Sequence, residues 1–151
     1  MNMMSDPNAD RKGRLSLLAK SPAADVARYW MALDMVPNHT VLRSPEIGGV
    51  MVRGRAGAVG AAFNLGEMTV TRASIKLSDG TVGHGYVQGR SKDHALQAAL
   101  IDALMQTEAA DNVVAGVLAP LRATMTTRKN ERAAKAAATK VDFFTIARGE
   151  D

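Results

Sequence analysis

Residues 68–89, MTVTRASIKLSDGTVGHGYVQG, decide the fold. Met68 to Leu77 and Thr81 to Gln88 read as two strands rich in β-branched and apolar residues, on either side of a polar tetrapeptide, Ser78-Asp79-Gly80-Thr81. Asp-Gly supplies the positive φ angles of a tight type I′ turn. A two-residue loop then pairs Leu77 with Val82, Ile75 with His84 and Ala73 with Tyr86, a mostly apolar face. The other face pairs Lys76 with Gly83, Ser74 with Gly85 and Arg72 with Val87. Two glycines opposite longer side chains leave a shallow notch. Another backbone or a ligand could approach there, or the glycines could simply ease a twist or bulge.

Working outward, Thr40 to Arg43, Gly49 to Arg55 and Val59 to Asn64 carry the same period and are expected as strands. Before them, Arg11 to Lys20 reads as a short amphipathic helix. Ser21-Pro22 reads as a helix start, with Ser21 as cap and proline at the first position, where no amide hydrogen is left unpaired. Val26, Tyr29, Trp30 and Leu33 follow at helical spacing, and this helix should end before Pro37. After the strands, Ser91 can cap a helix with Asp93 in its first turn, and Leu96, Leu100, Ile101 and Leu104 form its apolar stripe. Another helix starts near Asp111 and is broken or restarted at Pro120.

This order predicts an α+β fold. An antiparallel sheet from about residues 40–90 packs against N-terminal and C-terminal helices, mainly on one face, with an extended C-terminal arm. Residues 1–9 are expected to be disordered, 10–120 to form the α+β domain, and 121–151 to be a helical spacer and docking arm. Of the 46% hydrophobic residues, 26 are Ala, so the core should be thin or be completed by a partner. From Thr126 to Lys140 the only apolar residues are Ala, and the chain then runs into Val141-Asp142-Phe143-Phe144-Thr145-Ile146. That layout suits a docking arm.

The absence of Cys excludes disulfides, a thiolate nucleophile and Cys-ligated zinc or iron–sulfur clusters. The N-terminus lacks the apolar core of a signal peptide and no run approaches a membrane span, so a cytoplasmic protein is expected. The net charge of +4 is concentrated in residues 121–140, where Arg122, Arg128, Lys129, Arg132, Lys135 and Lys140 face Glu131 alone. That stretch reads as a solvated helix face or as an arm for an acidic partner.

Catalytic signatures are missing. The sequence has no phosphate loop, no nucleophile elbow and no HExxH, and Gly83-His84-Gly85 lies inside a strand. His39, His84 and His94 sit in different elements with no metal-site spacing. Arg90, Lys92 and His94 at the start of the helix after the sheet could meet an anion, or could be ordinary surface charges. Asp102 interrupts an apolar helix with no base at helical spacing, which indicates a tertiary partner or an exposed side.

The blocks Gly66-Glu67-Met68-Thr69-Val70-Thr71-Arg72-Ala73, Asp79-Gly80-Thr81-Val82-Gly83 and Tyr86-Val87-Gln88-Gly89-Arg90 occur in that order, followed by Lys92 and His94-Ala95. Ala99-Leu100-Ile101-Asp102-Ala103-Leu104 and Lys140 to Thr145 with Arg148-Gly149 complete the pattern. Together they resemble the PhnG subunit of the bacterial carbon–phosphorus lyase system, over residues 10–151 and most specifically at 66–105 and 140–149.

The resemblance implies a subunit of an assembly for phosphonate catabolism. With partners, it supports a synthase reaction in which an alkylphosphonate such as methylphosphonate displaces adenine from MgATP, giving a ribose 1-phosphonate 5-triphosphate. A different, cysteine-bearing subunit performs the later radical cleavage of the carbon–phosphorus bond. MgATP is then a substrate of the complex, and no cofactor or metal is expected on this chain alone. The implied partners are other carbon–phosphorus lyase subunits, chiefly the larger nucleosidase-like one, with no membrane and no nucleic acid.

Arg72, Arg90, His94, Asp142 and Arg148 match the family's motif positions. Arg72, Arg90, His94 and Arg148 are therefore candidates for an anion or an interface, and Asp142, Phe143 and Phe144 for docking to a partner; the catalytic residues are not identified. His84 departs from the aromatic residue of the family pattern. Two other readings compete: a basic nucleic-acid-binding module using residues 121–140, and a self-sufficient small enzyme with an anion site near Arg90 and His94.

Overall fold

A computed structural model describes residues 7–55 and 60–148, with side chains described for 10–54, 60–61, 63 and 65–139. Helix α1 spans Pro7–Lys20 and α2 spans Ala23–Leu33. Strands β1 (His39–Arg55), β2 (Ala62–Leu77) and β3 (Val82–Gln88) form one antiparallel sheet in the order β1-β2-β3. Helices α3 (Lys92–Leu104), α4 (Ala110–Val113) and α5 (Ala119–Arg148) follow, with a π-helical turn, Val114–Leu118, joining the last two. The expected α+β architecture is present. Of the segment expected to be disordered, residues 7–9 belong to α1 and residues 1–6 lie outside the described residues.

The β2–β3 register differs from the expected one by a single residue. Lys76 pairs with Val82, Ile75 with Gly83, Ser74 with His84, Ala73 with Gly85 and Arg72 with Tyr86. The reason is the turn. Gly80 N–H donates to Leu77 O at 3.0 Å, and Leu77 N–H donates to Thr81 O at 2.8 Å. Gly80 takes a φ of 96°. This is a three-residue loop with glycine in the left-handed position, not a two-residue type I′ turn. Thr81 N–H donates to Asp79 Oδ1 at 2.8 Å and holds that carboxyl below the usual aspartate range. A one-residue slip exchanges the faces of one strand relative to the other. Gly83, Gly85 and Val87 therefore join Ala73, Ile75 and Leu77 on the buried side, while His84, Tyr86 and Gln88 are exposed.

The glycine notch is occupied by another backbone. A Cβ built on Gly83 would collide with Ala99 O, and one on Gly85 with Ala95 O. Helix α3 lies this close because it presents Ala95, Ala99 and Ala103 to the sheet, all buried. Three of the 26 alanines thus make the close helix–sheet contact. The other sides of α3 bury Leu100, Ile101 and Leu104, each worth about 1.5–3 kcal/mol relative to exposure. Val26, Val113, Val117, Leu118 and Leu121 close the core from α2 and the last helices.

Three other expectations are corrected. Ser21 does not cap α2: its Oγ donates to Leu17 O at 2.7 Å, back into α1, and Pro22 takes the cap position with no side-chain hydrogen bond. The segments 40–43 and 49–55 are one strand, since β1 is an edge strand and can carry Pro45 within the register shift between Arg43 and Glu46. Of the segment expected as a strand over 59–64, Val59 lies outside the described residues and the rest from Ala62 belongs to β2. Of the two readings at Pro120, a break or a restart, the restart holds: α5 begins at Ala119, and because Pro120 cannot donate to the carbonyl four residues back the turn before it widens, with Ala119 N–H bonded to Val114 O.

Helix α5 then runs for 30 residues, and Thr126 to Thr139 is exposed throughout. The expected arm residues 141–148 are a continuation of this helix.

Candidate functional site

The most densely bonded polar group in the interior is Asp102, with no exposed surface. Arg11 reaches it with Nε at 3.2 Å from Oδ1 and Nη2 at 2.8 Å from Oδ2. Arg14 adds Nε and Nη2 at 3.2 and 2.9 Å from Oδ1. His84 N–H completes the set at 3.0 Å from Oδ2. Arg11 and Arg14 are three residues apart on α1 and so share a face. One carboxylate on α3 thereby ties α1 to the outer edge of β3. Gln106 Nε2 covers the same edge, donating to Val82 O at 2.9 Å. With the His84 N–H and the Val82 carbonyl occupied, this end of the edge is a poorer template for another strand.

His94 lies at the other end of α3. The helix begins as expected, with His94 N–H donating to Ser91 Oγ at 3.1 Å. Its ring, however, is turned inward: the side chain is buried and Nε2 lies 2.8 Å from Leu18 O. With a carbonyl as partner, Nε2 carries the hydrogen. Burial pushes the imidazole below the usual histidine range, only partly opposed by that carbonyl. A buried neutral ring bonded to α1 fastens two helices. It does not converge with Arg90, which is exposed and makes no ion pair among the described residues.

Arg72 stands on the exposed sheet face. Its Nη2 is 3.7 Å from Glu46 Oε2, which also lies 3.3 Å from Arg43 Nη1. All three side chains are about half exposed, so these pairs contribute at most about 1 kcal/mol. Arg72, Tyr86, Val70, Val50 and Gly48 line a shallow hollow of about 210 Å³. Beside it, Ser74 Oγ and His84 Nδ1 are 2.8 Å apart. No carboxylate is bonded to that ring among the described residues, so nothing orients it as a base toward Ser74. Farther along, β1 and β2 continue as a two-stranded ribbon beyond the last β3 pair, Val70 with Gln88, and expose Met51, Phe63 and Leu65. A two-stranded ribbon is marginal alone, and this one suits contact with a partner.

The side chains of Asp142, Phe143, Phe144 and Arg148 lie outside the described residues; their backbone is helical. Among the described residues, no group of three or more His, Asp or Glu is placed to hold a metal ion. No helix of the described residues is long and apolar enough to cross a membrane. Sequence reasoning located Asp102 but not its partners. The available signal was an acid in an apolar helix together with two arginines on one face of α1.

Comparison with known proteins agrees with the pattern of motifs. Residues 9–149 match the model of the family described as phosphonate metabolism protein PhnG. The chain is 43% identical over 143 residues to the alpha-D-ribose 1-methylphosphonate 5-triphosphate synthase subunit PhnG of Rhizobium meliloti (strain 1021). That alignment covers 95% of this chain and 92% of its relative. At this identity and coverage, with the motif blocks in order on one continuous fold, the chain belongs to the PhnG family of phosphonate metabolism proteins.

Proposed function

We propose that this chain is a subunit of a cytoplasmic synthase in which an alkylphosphonate displaces adenine from MgATP. The single observation that carries this is the end-to-end kinship with a PhnG subunit of such a synthase. In the reaction a phosphonate oxygen bonds to C1′ of the ribose as the bond to the adenine nitrogen breaks. Adenine leaves with a proton, and the triphosphate stays on C5′. This step needs charge stabilisation along the triphosphate and protonation of the departing base.

The chemistry is assigned mainly to a larger nucleosidase-like partner, and this chain braces or completes the site. Its own groups support a bracing role. The most highly coordinated carboxylate is spent on two arginines of α1, and the buried histidine is spent on a backbone carbonyl. Exposed Arg72 and Arg90, with Arg148, are assigned to an anion or to a carboxylate across an interface. Asp142, Phe143 and Phe144 are assigned to docking.

Mixing separately purified subunits tests the division of labour. Adenine release from MgATP and methylphosphonate is expected only when this chain and its larger partner are both present. Turnover by this chain alone would overturn the reading. Deletion of residues 141–151 is expected to impair complex formation more than folding of residues 10–118. Normal co-purification with partners after that deletion would remove the docking assignment.

A further inference from the structure

The basic stretch of α5 borders a trough where it meets the junction of α1 and α2. A hollow of about 90 Å³ there is lined by Lys20, Asp25, Thr124, Arg128 and Arg132, among others. A wider hollow of about 560 Å³ is lined by Lys20, Gln88, Met125, Lys129 and Arg132. Lys20, Met125 and Arg132 line both, so the two hollows adjoin, between the end of α1 and the end of β3.

Four cations border this trough, against one carboxylate, and that carboxylate is already engaged. Arg128 Nη2 is 3.0 Å from Asp25 Oδ2, and Arg28 Nη2 is 3.8 Å from Asp25 Oδ1. Lys20, Lys129 and Arg132 form no ion pair among the described residues. Like charges gathered round one hollow repel one another, and a polyanion relieves that repulsion. Lysine as a point charge and arginine as a planar fork both suit phosphate oxygens. The wider hollow is an open groove along the surface, which suits an extended anion better than an enclosed small molecule. Neither hollow is lined by an aromatic side chain, so nucleic-acid bases have nothing to stack on.

We propose that this trough binds a polyphosphate chain, held by Lys20, Lys129 and Arg132 with Gln88 as a neutral donor. The occupant is the tail of a nucleoside triphosphate or a free polyphosphate, which share the same chemistry. The inference does not rest on the proposed synthase reaction, because its readout is binding and not turnover.

The test is calorimetric titration of the full chain with inorganic triphosphate, ATP and adenosine at one low ionic strength. Triphosphate and ATP are expected to bind and adenosine is not. Both anions should weaken as salt is raised. Lys129→Ala with Arg132→Ala is expected to weaken binding roughly tenfold or more, because charge-assisted hydrogen bonds are lost. Lys20→Ala should weaken it too. All three residues are exposed, so the unliganded melting temperature should not change. Lys76→Ala, exposed on the sheet, is the control and should leave binding intact. Equal affinity for ATP and triphosphate supports recognition of the tail alone, with free polyphosphate as good an occupant as the nucleotide. Absence of binding by both anions overturns the proposal. So does adenosine binding as well as ATP, or a loss in Lys76→Ala equal to that in Lys20→Ala.

Discussion

Replacing Asp102 by alanine removes the one acceptor shared by Arg11, Arg14 and the His84 amide. The loss falls unevenly. The Arg11 side chain is 33% exposed and can turn to water, so its share is that of a partly exposed pair, at most about 1 kcal/mol. The Arg14 side chain is 9% exposed and has little recourse to solvent. Stranding a buried charge by deleting its partner costs about 3–5 kcal/mol. The His84 N–H also loses its acceptor, but that penalty overlaps with collapse of the same site and is not added in full. Asp102→Ala is therefore expected to destabilise the chain by about 4 kcal/mol, most of it from Arg14. At roughly 2–4 °C per kcal/mol for a chain of this length, the melting temperature should fall by about 8–16 °C. Urea and thermal denaturation of the full chain at one protein concentration measure it. A double variant, Arg14→Met with Asp102→Leu, removes the buried charges together and should recover at least about 1 kcal/mol of the loss. A single-variant loss below about 1 kcal/mol would refute the reasoning, because Asp102 would then be worth no more than a surface pair. A double variant as unstable as the single one would refute it equally.

Two further predictions concern the packing of α3. Gly85→Ala places a Cβ against the Ala95 carbonyl oxygen and should cost about 1–3 kcal/mol by forcing helix and sheet apart. Gly48→Ala meets nothing within 4 Å and should shift the urea midpoint far less; equal effects would refute the close approach. His94 is neutral in the fold and depressed below its ordinary value of 6.5. The unfolded chain therefore takes up the proton first as pH falls, and stability should decline below pH about 6.5. Gln can still donate to Leu18 O, so His94→Gln should lose that part of the slope; an unchanged slope of melting temperature with pH would count against a buried neutral ring.

The sequence by itself determined most of the helices and strands, because these depend on neighbours a few residues away. The alternation in 68–77, the Asp-Gly signal, the Ser91 cap and the alanine-only apolar content of 126–140 are local facts, and each appears in the fold. The family was legible for a similar reason, since its motifs are strings of residues at short spacing. Only the tertiary structure decided the register. Asp-Gly is compatible with a two-residue and a three-residue loop, and the two differ by one residue. The three-residue loop is the one that turns Gly83 and Gly85 toward the alanines of α3. Only the tertiary structure also decided where the charges went. Asp102 and its arginines are about ninety residues apart in sequence, so no periodicity could join them. His94, read as a surface group from its place near a helix start, became a buried tie because α1 lies across that end of α3. Local patterns fix backbone conformation through short-range sterics and hydrogen bonds. The partner of a long polar side chain is set by which surfaces are pressed together when apolar area is buried.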